Sequence, residues 1–158
     1  MTDLALLRRS IALAAESRAA GQHPFAALLA DADGRVLMEQ TNGFHVPGRP
    51  HGDGTAHAER LIATRACLEL PPEARGAATL FSSAEPCAMC AGAIYWAGIG
   101  RVVFGLSERR LKTLIGPNPE NLTLDLPCRE VFAAGQRRIV VEGPLLEDEA
   151  EAPHHGFW

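Results

Sequence analysis

The chain has 158 residues, 47% hydrophobic and 22% charged, as expected of one soluble globular domain large enough to bury a core. With 15 Lys and Arg against 19 Asp and Glu, its net charge of -4 provides no overall positive field for a polyanion. A nucleic-acid partner is therefore disfavoured, short of a local basic patch. No apolar run reaches the ~18 residues of a membrane span. The N-terminus lacks a basic leader followed by an apolar stretch, so the cytoplasm is the expected compartment, where thiols stay reduced.

Leu4, Leu7, Ile11, Ala14 and Ala15 recur at helical spacing and predict an amphipathic helix over 3–20, stopped by Gly21. The apolar run 25–30 reads as a strand buried on both faces. Asp33-Gly34 marks a hairpin turn into a second strand over 35–38. Residues 42–55 are rich in Gly, Pro and His and read as a loop. Thr55 caps a helix over 56–70, with Pro71-Pro72 beyond its end. A third strand follows over 79–82. Pro86 opens a helix to 96, followed by Gly98 and Gly100, and 101–105 is a fourth strand. The pattern then weakens to a short helix over 108–115, an irregular stretch over 116–127 and a helical turn over 128–134. A fifth strand over 138–141 and an acidic helix over 144–150 end the series. Alternating strands and helices imply one α/β domain over 1–158, with helices on both faces of a sheet. Strands one and two pair as a hairpin, and the later connections suit parallel crossovers.

Two stretches carry chemistry. His57-Ala58-Glu59 supplies an imidazole and a carboxylate, and Pro86-Cys87-Ala88-Met89-Cys90 supplies two thiols. His57, Cys87 and Cys90 make three of the four ligands of a tetrahedral zinc, leaving one position for water. Cys87 and Cys90 share one face of a helix's first turn, where the dipole favours thiolates. Glu59 distinguishes a hydrolytic zinc from a structural one, because it can take a proton from water and return it to a leaving amine. Cys-x-x-Cys alone also fits a redox pair or a structural zinc, but neither accounts for His57, Glu59 and Pro86 together. The pattern H-x-E with P-C-x-x-C is a zinc deaminase signature. The reaction it implies is attack of activated water on an amino-bearing ring carbon, releasing ammonia.

In these residues the chain resembles the cytidine deaminase-like superfamily, most closely in style the bacterial guanine deaminases and related free nucleobase deaminases. The resemblance implies a three-layer α/β/α sandwich with a five-stranded mixed sheet and one Zn²⁺ per chain. It assigns His57, Cys87 and Cys90 as zinc ligands and Glu59 as proton shuttle. Asn42 and the backbone N–H of Ala56 would contact the substrate ring, and Phe25 would line the pocket. Trp96 is either core or a pocket wall. Guanine deaminases are expected to place an acid downstream to read the purine edge, and Glu108 is the nearest candidate.

The alternative is a tRNA adenosine deaminase, suggested by 99–105 and the basic run Arg109, Arg110 and Lys112. Those enzymes carry a His-Pro-Gly-Met-Asn-His-like stretch and a basic last helix. Here the corresponding residues are Gly116-Pro117-Asn118-Pro119 and the acidic Glu147, Asp148, Glu149 and Glu151, which favours a small-molecule substrate. A homodimer is implied by the resemblance, and 143–158 is expected to form a C-terminal helix and tail capping the site. His23, His45 and His51 read as either substrate contacts or, as is commoner for loop histidines, solvated residues, Cys67 as a small buried hydrophobe, and Cys128 as without a role. Phe157 and Trp158 favour a docked tail.

Overall fold

The computed structural model describes residues 1–158. Thr2 caps α1 (Asp3–Ala19), its hydroxyl accepting from the Ala5 N–H at 3.3 Å. The buried face of α1 is Leu6, Leu7, Ser10, Ile11, Leu13, Ala14 and Ser17, while Leu4 and Ala15 are exposed. The apolar stripe is thus rotated from the one expected, because small Ser10 and Ser17 can sit against the sheet. Ser10 Oγ donates to Leu7 O, and Ser17 Oγ donates to His23 O, each at 2.7 Å.

The remaining elements follow in chain order. They are β1 (Ala26–Ala30), β2 (Val36–Thr41), α2 (Ala58–Glu69), α3 (Pro72–Ala77) and β3 (Thr79–Ala84), then α4 (Ala88–Ala97), β4 (Arg101–Leu106) and α5 (Glu108–Ile115). Next come α6 (Cys128–Ala133), β5 (Val140–Glu142) and α7 (Glu147–Glu151), and a 3-10 turn at Ala152–His154 ends the series. The Pro71-Pro72 pair, expected only to end α2, also starts α3, since proline is pre-set for a helix's first turn. Cys67 is exposed on α2, correcting its expected burial.

The strands form one mixed sheet in the order β2-β1-β3-β4-β5. β1 is antiparallel to both β2 and β3, whereas β3, β4 and β5 run parallel. The crossover through α2 therefore does not set β3 beside β2; β1 lies between them. Alternate strand residues face opposite layers. Ala27, Leu29, Leu80 and Val102 pack with residues of α2, α4 and α6, and Ala26, Leu28, Phe81 and Val103 pack with residues of α1, α5 and α7. This is the expected three-layer α/β/α sandwich with a five-stranded mixed sheet.

The C-terminal tail is docked. Arg18 Nη1 donates to Pro153 O at 2.9 Å and His155 O at 2.6 Å, and its guanidinium lies over the Phe157 ring. Trp158 Nε1 donates to His154 Nδ1 at 3.1 Å. The rings of His154 and Trp158 lie 5.0 and 6.0 Å from that of Phe25, which precedes β1.

Candidate active site

The segments before β1, after β2 and after β3 end at one edge of the sheet, together with the starts of α2, α4 and α5. They enclose a cavity of about 320 Å³. A crevice at the carboxyl ends of strands is where α/β sheets bind ligands, because helix starts converge there.

His57 is the N-cap of α2 and Cys87 the N-cap of α4, so neither lies inside a first turn as expected. Neither side chain makes a capping hydrogen bond, which leaves the imidazole and the thiol free to point at each other. His57 Nδ1 lies 3.5 Å from Cys87 Sγ and 3.5 Å from Cys90 Sγ. Sulfur at ~2.3 Å and nitrogen at ~2.0 Å from a tetrahedral zinc would be separated by about 3.5 Å. Donor types and spacing therefore fit zinc, with a position left over. The hydrogen bond from the Cys90 thiol, opposed by burial and aided by the neighbouring His57 imidazole, holds the Cys87 thiol well below the ordinary thiol range. One thiolate is thus prepared by its surroundings.

Glu59, the second residue of α2, is 4% exposed and lines the same cavity. Ser82 Oγ, buried in β3, donates to Glu59 Oε1 at 2.6 Å. That bond fixes the carboxyl while leaving Oε2 for other partners. Burial pushes the Glu59 carboxyl above the ordinary range, opposed by His57 and by the Ser82 bond. A carboxyl held there is placed to accept a proton and return it.

Phe25 and Asn42 line the cavity. Asn42 Oδ1 accepts from the Phe44 N–H at 2.8 Å, which leaves the amide NH₂ as the group able to donate to a ligand. Ala56 and Trp96 differ from expectation. The Ala56 N–H is spent on Asp53 O at 3.1 Å, inside the turn that leads into α2, and Ala56 does not line the cavity. Trp96 is 84% exposed, because it lies on the side of α4 opposite the buried Ile94 and Ala97. It is neither core nor pocket wall in this chain.

The structure adds residues that no motif marked. Glu85 accepts from the Glu108 N–H with one oxygen and from the Cys128 N–H with the other, each at 2.9 Å. One carboxylate thereby satisfies the open starts of α5 and α6 and pins both helices beside Cys87. Glu108, at the start of α5, is buried against the cavity. Burial, then the negative charges of Cys87, Glu85, Glu59 and Asp125, push its carboxyl up to about 9. His23, Phe44, Glu120, Leu122 and Leu124 complete much of the wall. The last three come from the stretch 116–127, which lacks any periodicity; its Gly and Pro content was the only sign of a functional loop.

No Lys or Arg lines the cavity, whereas Glu59, Glu85, Glu108 and Glu120 do. The basic run on α5 is already engaged. Arg110 pairs with Asp148 at 2.7 Å and with Glu151, while Arg109 and Lys112 reach Asp125 at 3.9 and 3.3 Å.

The model of the cytidine and deoxycytidylate deaminase zinc-binding region matches residues 1–106. A probable cytosine deaminase of Schizosaccharomyces pombe is 42% identical over 99% of this chain and 92% of its own length. A guanine deaminase of Bacillus subtilis is 38% identical over 61% of this chain and 60% of its own length. Among solved structures, a guanine deaminase from Nitrosomonas europaea is 29% identical with a TM-score of 0.70, over 96% of this chain and 82% of that one.

Proposed function

The chain belongs to the cytidine and deoxycytidylate deaminase zinc-binding family and is a zinc-dependent hydrolytic deaminase, and we propose that its substrate is a free aminated nucleobase of cytosine or guanine type. The observation that carries this reading is a cavity of about 320 Å³ holding a buried carboxylate beside the His57, Cys87 and Cys90 cluster, with no cationic side chain in its wall. A neutral ring fits such a space. A phosphate-bearing substrate would meet carboxyl groups and no Lys or Arg in the cavity wall.

His57, Cys87 and Cys90 would hold the zinc, which when bound supplies a water acidified to a pKa of about 7. Glu59 takes the proton as the water oxygen bonds to the amino-bearing ring carbon. It delivers that proton to the neighbouring ring nitrogen, then takes the second proton from the hydroxyl on the tetrahedral carbon and passes it to the amino group. The C–N bond breaks, leaving a ring carbonyl and ammonia. Ser82 keeps Glu59 in place through this sequence. The Asn42 amide donates to a ring acceptor, and Phe25 and Phe44 hold the ring plane. The open N-terminus of α4 at Cys87 favours the negative charge that develops.

The segment 143–158 caps the site from within the same chain in this reading, because His154 and Trp158 brace Phe25 and His23 from outside the cavity. A homodimer is supported by Trp96 and Leu68, exposed by 84% and 81% on α4 and α2, which water solvates poorly. A cytoplasmic setting is supported by four free cysteines, two of them metal ligands that oxidation would disable. The tRNA reading rests on the α5 basic run, whose side chains are engaged with Asp125, Asp148 and Glu151.

A panel of cytosine, guanine, adenine and isocytosine, scored by ammonia release, tests the substrate class. Turnover of cytosine or guanine is expected. Failure on all four bases, with deamination of a tRNA anticodon stem, would replace this reading with the editing one.

A further inference from the structure

We propose that His23, His45 and Glu120 form a second divalent-cation site at the mouth of the active-site cavity, distinct from the His57, Cys87 and Cys90 cluster, and that a cation bound there restrains access to the cavity. The three side chains offer two imidazole nitrogens and one carboxylate oxygen, all within 4.8 Å of one another. Two histidines and a carboxylate form a set that zinc, cobalt and nickel accept, with room for water at the remaining positions.

The set is held by its surroundings. His23 is 5% exposed, and its ring stacks on Phe44 at 4.4 Å with edges of Phe157 and Trp158 at 5.9 and 5.2 Å. Its Nε2 is already 3.0 Å from Glu120 Oε1. Two donors on a tetrahedral ion with bonds of about 2 Å are separated by roughly 3.3 Å, so this pair is close to ligand spacing. The His45 backbone is clamped by Gln22, whose side chain accepts from His45 N and donates to His45 O, each at 2.8 Å. Only the exposed His45 ring has to swing by an ångström or so to complete the set. Glu120 follows a turn in which Asn118 Oδ1 accepts its N–H at 2.9 Å.

The site would also have a consequence for access. His23 precedes β1, His45 follows β2 and Glu120 lies between α5 and α6. His23 and Glu120 line the cavity. A cation bridging the three would tie separate walls of the entrance together, so excess zinc should inhibit the enzyme that one equivalent activates.

The test uses holoprotein carrying one zinc per chain. Isothermal calorimetry and equilibrium dialysis with Zn²⁺, and separately with Co²⁺, read a second, weaker equivalent, independently of any turnover. Wild type and His51→Ala, which removes an exposed histidine elsewhere in the same loop, are expected to bind it. His45→Ala and Glu120→Gln are expected to lose it. His45→Ala should also keep its basal activity while losing the inhibition by excess zinc. A wild-type protein that saturates at one equivalent overturns the proposal. So does a second equivalent that survives both His45→Ala and Glu120→Gln, since that ion then lies elsewhere.

Discussion

In the proposed mechanism the Glu59 carboxyl is the least replaceable group in the site, because there it handles each proton and no other cavity carboxyl accepts from a buried hydroxyl. Glu59→Gln keeps shape and volume but removes the base. Activity is expected to fall about 10²- to 10⁴-fold, with one zinc per chain still found by metal analysis. Full activity in that variant would end the proton-shuttle role. Ser82→Ala is a gentler probe. It leaves Glu59 Oε1 buried without its 2.6 Å donor, so kcat is expected to fall about tenfold, equivalent to ~1.4 kcal/mol of transition-state stabilisation. Loss of a buried partner should also lower unfolding stability by about 1–3 kcal/mol in urea titration. His57, Glu59 and the cysteine pair are legible in the sequence because ligand chemistry restricts them to a few residue types at fixed spacing. Glu85 and Glu120 are not, and Glu108 was reached only through the family resemblance. A glutamate in a linear sequence looks the same whether it is solvated, pins two helices or lines a cavity.

At the scale of elements, two helix starts and one tail govern the site. The helices α2 and α4 begin at His57 and Cys87, whose side chains make no cap bond and meet at the cavity. The tail introduces a pH dependence. Burial holds the His154 imidazole down at about 4, opposed by Glu151 and reinforced by the positive charges of His155 and Arg18. A released tail would titrate near 6.5. The released state therefore binds the extra proton between those values, and docking weakens as pH falls from about 6.5 towards 4 and is unchanged above it. Trp158 fluorescence in a Trp96→Phe background is expected to report this undocking in mild acid. A His154→Phe variant should shift the transition or abolish it. A signal flat from pH 7 to 4 would mean that His154 stays docked when charged. The tail's docking was foreseeable from Phe157 and Trp158, which are costly to expose. Its partner Arg18 was not, since α1 is more than a hundred residues away in the chain.

For the molecule as a whole, the His57 and cysteine ligands tie α2 to α4 across one face of the sheet, so zinc should contribute to stability as well as chemistry. Binding at a thousandfold above Kd adds about 4 kcal/mol. In a domain of this size each kcal/mol shifts Tm by about 2–4 °C, so chelation is expected to lower Tm by roughly 8–16 °C in calorimetry, reversed by zinc. An unchanged Tm would mean that the ligand cluster does not bridge the helices. Composition, the hydrophobic periods and the two motifs already specified an α/β domain, the His57, Cys87 and Cys90 donor set and the acid beside it, because strand and helix patterns are local and ligand chemistry tolerates few substitutes. Tertiary structure alone decided that β1 stands between β2 and β3, that Trp96 faces water, and that Ala56 spends its N–H in a turn. It also decided that the basic run on α5 is neutralised by carboxylates from α7 and Asp125. The physical reason is common to these cases: strand order, burial and charge pairing depend on residues distant in the chain, and a linear pattern carries no record of which of them will meet.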